Sequence, residues 1–523
     1  MTTSLALARH VTDRLGYGPR PGDLDRVASL GVDRWIEEQL NPHTIALPAA
    51  FAAQVANITT PRLSPLQVFA EYGPPSARPL IAGKPTPDEI RARNQRMQFV
   101  AQEAVQLRLL RGIASPCQLE ECLTDFWFNH FNVFVDKGLD HLWLGSYVED
   151  AVRPHVLGRF RDLLGATAKH PAMLFYLDNW LNTAPGSPGA KGPFSGINEN
   201  YAREVMELHT LGVNGGYTQA DVIALAHILT GWTIGPLRRP PVPRPPLPFA
   251  GFRPARAAAP RMMPPMPPGR GTFVFDPDRH DFSNKVFLRQ TIHGDGIEEG
   301  ERALDMLAKS PATARHISFQ LAQYFLADDP NKDVVDAMAR TFLSTDGNIR
   351  AVLRTLFRSA AFRSPQSFGA KYKTPYRFVV SAVRAGDVPV KNFRPLQGFM
   401  ARLGERPYGC LTPNGYSNTR DAWLNPEGMM DRVSFAVALA LGRLPLEAAP
   451  DSGVPGMMAA PRMGGMAAAA PAQPAAHSPA LDATALATTL GNQFSPATRA
   501  AIDAAPPQLK AAVVLGSPEF MRC

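Results

Sequence analysis

Glu204 and Glu207 stand one helical turn apart within Asn198-Glu199-Asn200-Tyr201-Ala202-Arg203-Glu204-Val205-Met206-Glu207-Leu208-His209-Thr210-Leu211-Gly212. At about 100° per residue, Asn200, Glu204, Glu207 and Leu211 share one face, beside an apolar stripe of Tyr201, Val205 and Leu208. Two carboxylates aimed the same way can form a general acid/base pair or half of a divalent-metal site. Arg203 beside them would tune their charge and hold an anionic group. His209 falls on the opposite side of an unbroken helix, so Glu204, Glu207 and His209 do not form one ligand set. The bland alternative is a surface helix with Arg203 paired to Glu207 at i,i+4.

Three further stretches carry chemistry. Asp125-Phe126-Trp127-Phe128-Asn129-His130-Phe131-Asn132-Val133-Phe134 is so aromatic that most of its circumference must be buried. Asp125, Asn129 and Asn132 nevertheless make a polar line along it, and His130 sits among the rings where it needs a partner. Either these groups line a site, or His130 is a satisfied core histidine. Next, Asp276, Asp278, His280 and Asp281 crowd the end of an apolar run, Phe273-Val274-Phe275, with Lys285 following. Such a strand end suits ligands, although no strict metal motif is matched and a solvated turn would look the same. Last, Gly409–Trp423 is a Gly/Pro/Asn-rich loop whose Tyr416 and Trp423 suit sugar stacking or a partner contact.

The elements that must position these residues are mainly helical. Periodicity predicts two short helices between Leu5 and Leu40, a long one over 86–113 and an aromatic one over 117–134. Further helices are expected at 141–165, 171–180, 198–212, 219–232, 298–309, 311–326, 331–343, 347–360, 374–385, 427–442 and 498–516. Thr272–Phe275 is the best strand candidate, ended by Asp276-Pro277. The expectation is a mainly α, multi-helix globular assembly with long loops and few short strands.

Two low-complexity segments divide that assembly. Thirteen prolines lie between Pro236 and Pro268, with seven arginines and no acidic residue through Arg270. A second Ala/Pro/Gly/Met-rich stretch follows near 446–480. Neither composition builds a core. The expected organisation is therefore a helical region over 1–234, an insertion over 235–271, a second helical region over 272–445, a linker over 446–480 and a helical segment over 481–523 that packs back on the body.

Composition excludes several function classes. The formal net charge of +8 comes almost wholly from the arginine-rich insertion, so nucleic-acid binding has weak support. No uncharged apolar run approaches the ~20 residues of a membrane span. Four cysteines without paired CxxC spacing argue against a disulfide framework and a zinc site. There is no GxSxG elbow, P-loop, GxGxxG with a following acid, or HExxH. As written, the start has no secretory leader, which reads as cytoplasmic, or as periplasmic or secreted if a leader has been removed.

With these motifs in view, the chain resembles a large bacterial family catalogued as domain of unknown function 1800. The resemblance runs from His10…Arg14-Leu15-Gly16-Tyr17-Gly18-Pro19-Arg20 and Trp35…Gln39-Leu40 through Asp125–Phe131. It is strongest from Asn198 to Gly231-Trp232-Thr233, and resumes at His280-Asp281…Lys285 and Pro311–Arg315. Family resemblance implies an exported or envelope role and a sulfatase-like protein as companion. It assigns no activity. Our expectation is a hydrolase or lyase acting on a polar polymer such as a glycan. Glu204, Glu207, His130, His280 and Asp281 would be catalytic, with Arg203, Asn200, Asp125, Asn129, Lys285, Trp232, Tyr416 and Trp423 binding substrate. A divalent metal is left open. The rival expectation is a non-enzymatic helical partner of an exported protein.

Overall fold

The computed structural model describes residues 2–74, 86–235, 272–448 and 479–523. Most of the Pro/Arg-rich insertion and of the Ala/Pro/Gly/Met-rich linker lies outside the described residues. Within them the chain is mainly α, running from the helix Thr2–Arg14 to the helix Lys510–Leu515. Strand is confined there to two antiparallel pairs of three-residue strands. No described helix is long and apolar enough to cross a membrane.

Proline helps to start these helices. Pro65, Pro87, Pro171, Pro311, Pro375, Pro426 and Pro496 each occupy the first helical position. There the missing N–H has no helical partner to lose and the fixed φ is already helical. The long helix Pro87–Ala114 adds a reciprocal cap, with Thr86 and Glu89 each accepting from the other's backbone N–H.

The centre of the assembly is the helix Pro375–Ala385, all of whose residues are buried. Two arginines on it reach back to the N-terminal segment. Arg377 donates to the carbonyls of Asp13 (3.2 Å) and Gly16 (3.4 Å), and Arg384 donates to Gly18 O (3.0 Å) and Ile113 O (2.6 Å). Arg14 in turn donates to Leu326 O and Ser367 O. The Arg14–Gly18 motif thus serves as an anchor: buried guanidinium groups need acceptors, and turn carbonyls supply them.

Four local expectations need correction: first, the helix expected over 498–516 is two, Pro496–Ala504 and Lys510–Leu515, parted at Pro506-Pro507. Three helices, not two, fill the first forty residues, because Gly31 at φ 86° separates Asp23–Leu30 from Val32–Leu40. The helix expected over 198–212 spans only Asn200–Glu207. His209 N–H then bonds five residues back to Glu204 O, and Gly212 at φ 82° turns the chain. The helix expected over 219–232 ends at Ile228, and Trp232–Ile234 pairs as a strand with Phe273–Phe275. Gly231 allows this: at φ 77° it presses against Asp276 O, where a Cβ would stand 2.5 Å away. The hairpin Lys285–Phe287/Gln290–Ile292 and the helices Ala49–Asn57, Pro65–Tyr72, Arg394–Arg402 and Ala483–Thr489 are additional elements.

Candidate active site

Segments distant in sequence meet around a cavity of about 210 Å³. The aromatic helix Gln118–His130 contributes Asp125, Asn129 and His130. The helix Pro311–Phe325 contributes His316, Gln320 and Tyr324, spaced i, i+4, i+8 on one face. Arg377 comes from the first turn of the central helix, and Glu405 from the turn after Arg394–Arg402. Glu207 reaches the cavity from the end of its short helix, and Tyr416 from the loop 410–418.

The acidic end of the cavity is built from ion-paired and neutral-leaning groups side by side. Asp125 is salt-bridged to Arg108 of the long helix, and Tyr324 OH donates to its other oxygen at 3.4 Å. Arg108 lies over the rings of Tyr376 (4.5 Å) and Tyr408 (4.8 Å). Burial opposes its charge, but Asp125 together with Tyr408, Tyr376 and Tyr17 outweighs burial and raises its pKa. Glu405 is buried and accepts the Tyr376 N–H at 2.7 Å. Burial, reinforced by the nearby Asp125, pushes its carboxyl up to about 7.

His130 and His316 also line the cavity, with His209 packed behind them. His130 Nε2 donates to His209 O at 3.0 Å, and His316 Nε2 donates to Leu208 O at 3.2 Å. Burial lowers all three: His130 to about 3, His209 well below its ordinary value, and His316 less far. They are neutral at physiological pH. The early end of the Asn200–Glu207 helix matters here, because it turns His209 inward, 5.9 Å from the His130 ring. Among the described residues, no group of three or more His, Cys, Asp or Glu is arranged to hold a metal ion.

The loop 410–418 is fastened as one wall. Asn129 donates to Tyr416 O (2.8 Å) and accepts from Tyr416 N–H (2.7 Å). Asn132 donates to the carbonyls of Cys410 and Thr412, and Tyr176 OH donates to Leu411 O. Lys371 Nζ donates to Asn418 O. Gly415 is required at φ 70° beneath this clamp, since a Cβ would lie 2.2 Å from Asn129 O.

Of the residues singled out in the sequence, Asp125, Asn129, His130, Glu207 and Tyr416 therefore meet at one cavity. Asn129 spends its side chain on the wall. Trp423 also supports it, donating to Ser417 O at 2.7 Å with its ring 6.0 Å from Tyr416. Glu204 is half-buried beside Glu207, off the cavity lining; burial and then Glu207 raise its pKa. Arg203 pairs with Glu199 and Gln219 rather than with Glu207, and Asn200 is exposed.

His280, Asp281, Lys285 and Trp232 form a second group away from the cavity. His280 Nε2 and Lys285 Nζ both lie 2.7 Å from the Glu299 carboxylate, fully out of solvent. His280 Nδ1 donates to Thr230 O at 2.8 Å, so both ring nitrogens face acceptors. Asp281 pairs with His227 at 2.7 Å. Burial works against the Asp281 charge, yet hydrogen bonds from Ser283 and His227 lower its pKa. The Trp232 ring packs on Gly300, where a Cβ would stand only 2.1 Å away. These contacts join the two strand pairs to the helix Ile297–Ala308.

Sequence reasoning missed Glu405, Arg108, Arg377 and the His316/Gln320/Tyr324 stripe. Two signals were available: an arginine inside the apolar run Tyr376–Ala385, and polar residues repeating at i+4 on Pro311–Phe325. A family model described as Protein of unknown function (DUF1800) matches residues 10–522. Comparison with curated proteins and with solved structures finds no match.

Proposed function

This chain belongs to the DUF1800 family, whose description assigns no activity, so we propose a function from its own residues: acid–base cleavage of a hydroxyl-rich substrate in the Asp125/Glu405 cavity. One observation carries the reading. Two carboxyl groups border one cavity in environments that treat them differently. Arg108 holds Asp125 as its ion-pair partner, while Glu405 keeps a proton up to about pH 7. A group titrating near neutrality can donate a proton and take it back within one turnover.

The assignment of roles follows. Glu405 protonates the leaving oxygen as the bond to the sugar carbon breaks. A water attacks that carbon and passes its proton to Asp125, whose negative charge Arg108 balances; Asp125 then releases that proton to solvent as Glu405 takes one up, which restores both groups. A lyase would use the same pair, with a carbon-bound proton abstracted in place of water attack. Glu207, Gln320 and the Tyr416 wall offer the hydroxyl-binding contacts that such a ligand needs. We assign the buried His280–Glu299–Lys285 group to holding the fold and not to the reaction.

The test is a glycan and glycoside panel, with released reducing ends measured for wild type, Glu405→Gln and Asp125→Asn. Either substitution should lower turnover by about 10²–10⁴-fold, with circular dichroism unchanged. The alkaline limb of the wild-type pH profile should fall near 7. Full activity in Glu405→Gln would refute the assignment.

A further inference from the structure

The shape of the cavity bears on how a chain could enter it. At about 210 Å³ it is smaller than the about 300–1,000 Å³ of sites for drug-sized ligands, and holds roughly one sugar ring. Arg108, Asp125, Phe128 and Tyr408 form its end wall. Behind that wall lies only a void of about 20 Å³, room for little more than a water. Arg153 seals the void from the far side, paired with Glu121 at 2.7 Å and with Glu149 at 3.2 Å. A chain therefore cannot continue past Asp125.

One side wall is fixed as well. Asn129, Asn132, Tyr176 and Lys371 pin the loop 410–418 from beneath through its main chain. Lifting it would break at least six hydrogen bonds. The exposed lining residues Val213, Asn414 and Ser417 mark where the cavity meets solvent. Asp125 stands in the end wall, and Glu405 lines the same cavity.

From this geometry we infer that the site takes one terminal unit of a hydroxyl-rich chain, entered end-on through the mouth at Val213 and Asn414, and acts on chain ends, not on internal bonds. The inference rests on the acid–base reading for the reaction but on shape alone for the mode of binding, and the two can fail separately.

Titration calorimetry tests it with wild type and Glu405→Gln. The probes are dextran, xylan, polygalacturonate and chitosan, each as long polymer and as size-fractionated oligomer, with α-cyclodextrin and maltohexaose as a cyclic and open-ended pair. At equal mass concentration, the binding probe should show affinity proportional to its chain ends, so chains about tenfold shorter bind about tenfold more tightly per mass. Of the cyclic and open-ended pair, only maltohexaose should bind. Affinity per mass independent of length, equal binding of α-cyclodextrin, or no binding to any probe overturns the inference. End-dependent binding together with undiminished activity in Glu405→Gln would retain the binding mode and discard the acid–base assignment.

Discussion

A carboxyl group that titrates near neutrality inside a protein changes stability as well as reactivity. Glu405 is raised from its ordinary 4.5 to about 7, chiefly by burial, with Asp125 adding to it. The folded form therefore binds this proton more tightly than the unfolded chain does. Its contribution to stability is fully present below pH 4.5 and is lost as pH rises through 7. A shift of that size corresponds to about 3 kcal/mol between the two limits. Glu405→Gln keeps the shape and removes the titration. Its unfolding free energy relative to wild type should therefore rise by up to about 3 kcal/mol between pH 4.5 and 8, read from urea denaturation at each pH. A difference that stays flat with pH would mean that Glu405 is charged in the native protein. The neighbouring Asp125–Arg108 pair makes the proton on Glu405 useful: a second negative charge close by disfavours ionisation, and the guanidinium keeps the first one in place.

Among the elements, those with their own amphipathic period were legible in the sequence, and those defined by a partner were not. Pro311–Phe325 and Ile349–Arg358 are helices from their spacing and their starts alone. The Phe273–Phe275 strand was visible as an apolar run before Asp-Pro, but its partner Trp232–Ile234 was hidden behind a helical pattern that Gly231 interrupts. Lys285 and His280 likewise looked like site residues because charge at a strand end is ambiguous until its counter-ion is known. That counter-ion is Glu299, on the first turn of Ile297–Ala308. Glu299→Ala would leave a buried lysine and a buried histidine facing no negative charge. It should cost about 3–5 kcal/mol, measured by urea denaturation. A loss below about 1 kcal/mol would place the group at the level of a surface salt bridge.

The cavity itself exists only at the scale of the whole molecule. Asn129 meets Tyr416 across 287 residues, and Asn132 meets Cys410 across 278. No local pattern encodes such meetings, so Asp125, His130 and Glu207 could be suspected singly while Glu405 and Arg377 could not be attached to them. The same long-range packing buries histidines as neutral rings throughout the molecule. Burial lowers His10, His130 and His170 to about 3, and takes His209 well below its ordinary value. Here the folded pKa lies below the unfolded 6.5, so the unfolded chain binds more protons and stability is lost as pH falls from 6.5 toward 3. At pH 5 these four histidines take up protons on unfolding, while Glu405 and the buried carboxyl of Asp140, also raised by burial, release theirs, so the histidines set the sign of the net uptake. Unfolding free energy should therefore fall as pH drops through 5, by about 1.4 kcal/mol per pH unit for each net proton taken up. Carboxylates held low by their partners, such as Asp281 and Glu301, add to the fall at more acidic pH. Urea titrations between pH 4.5 and 6 measure the slope. A slope near zero would mean that the native protein accommodates these protons, and the interior around His130 and His209 would then be hydrated and charged.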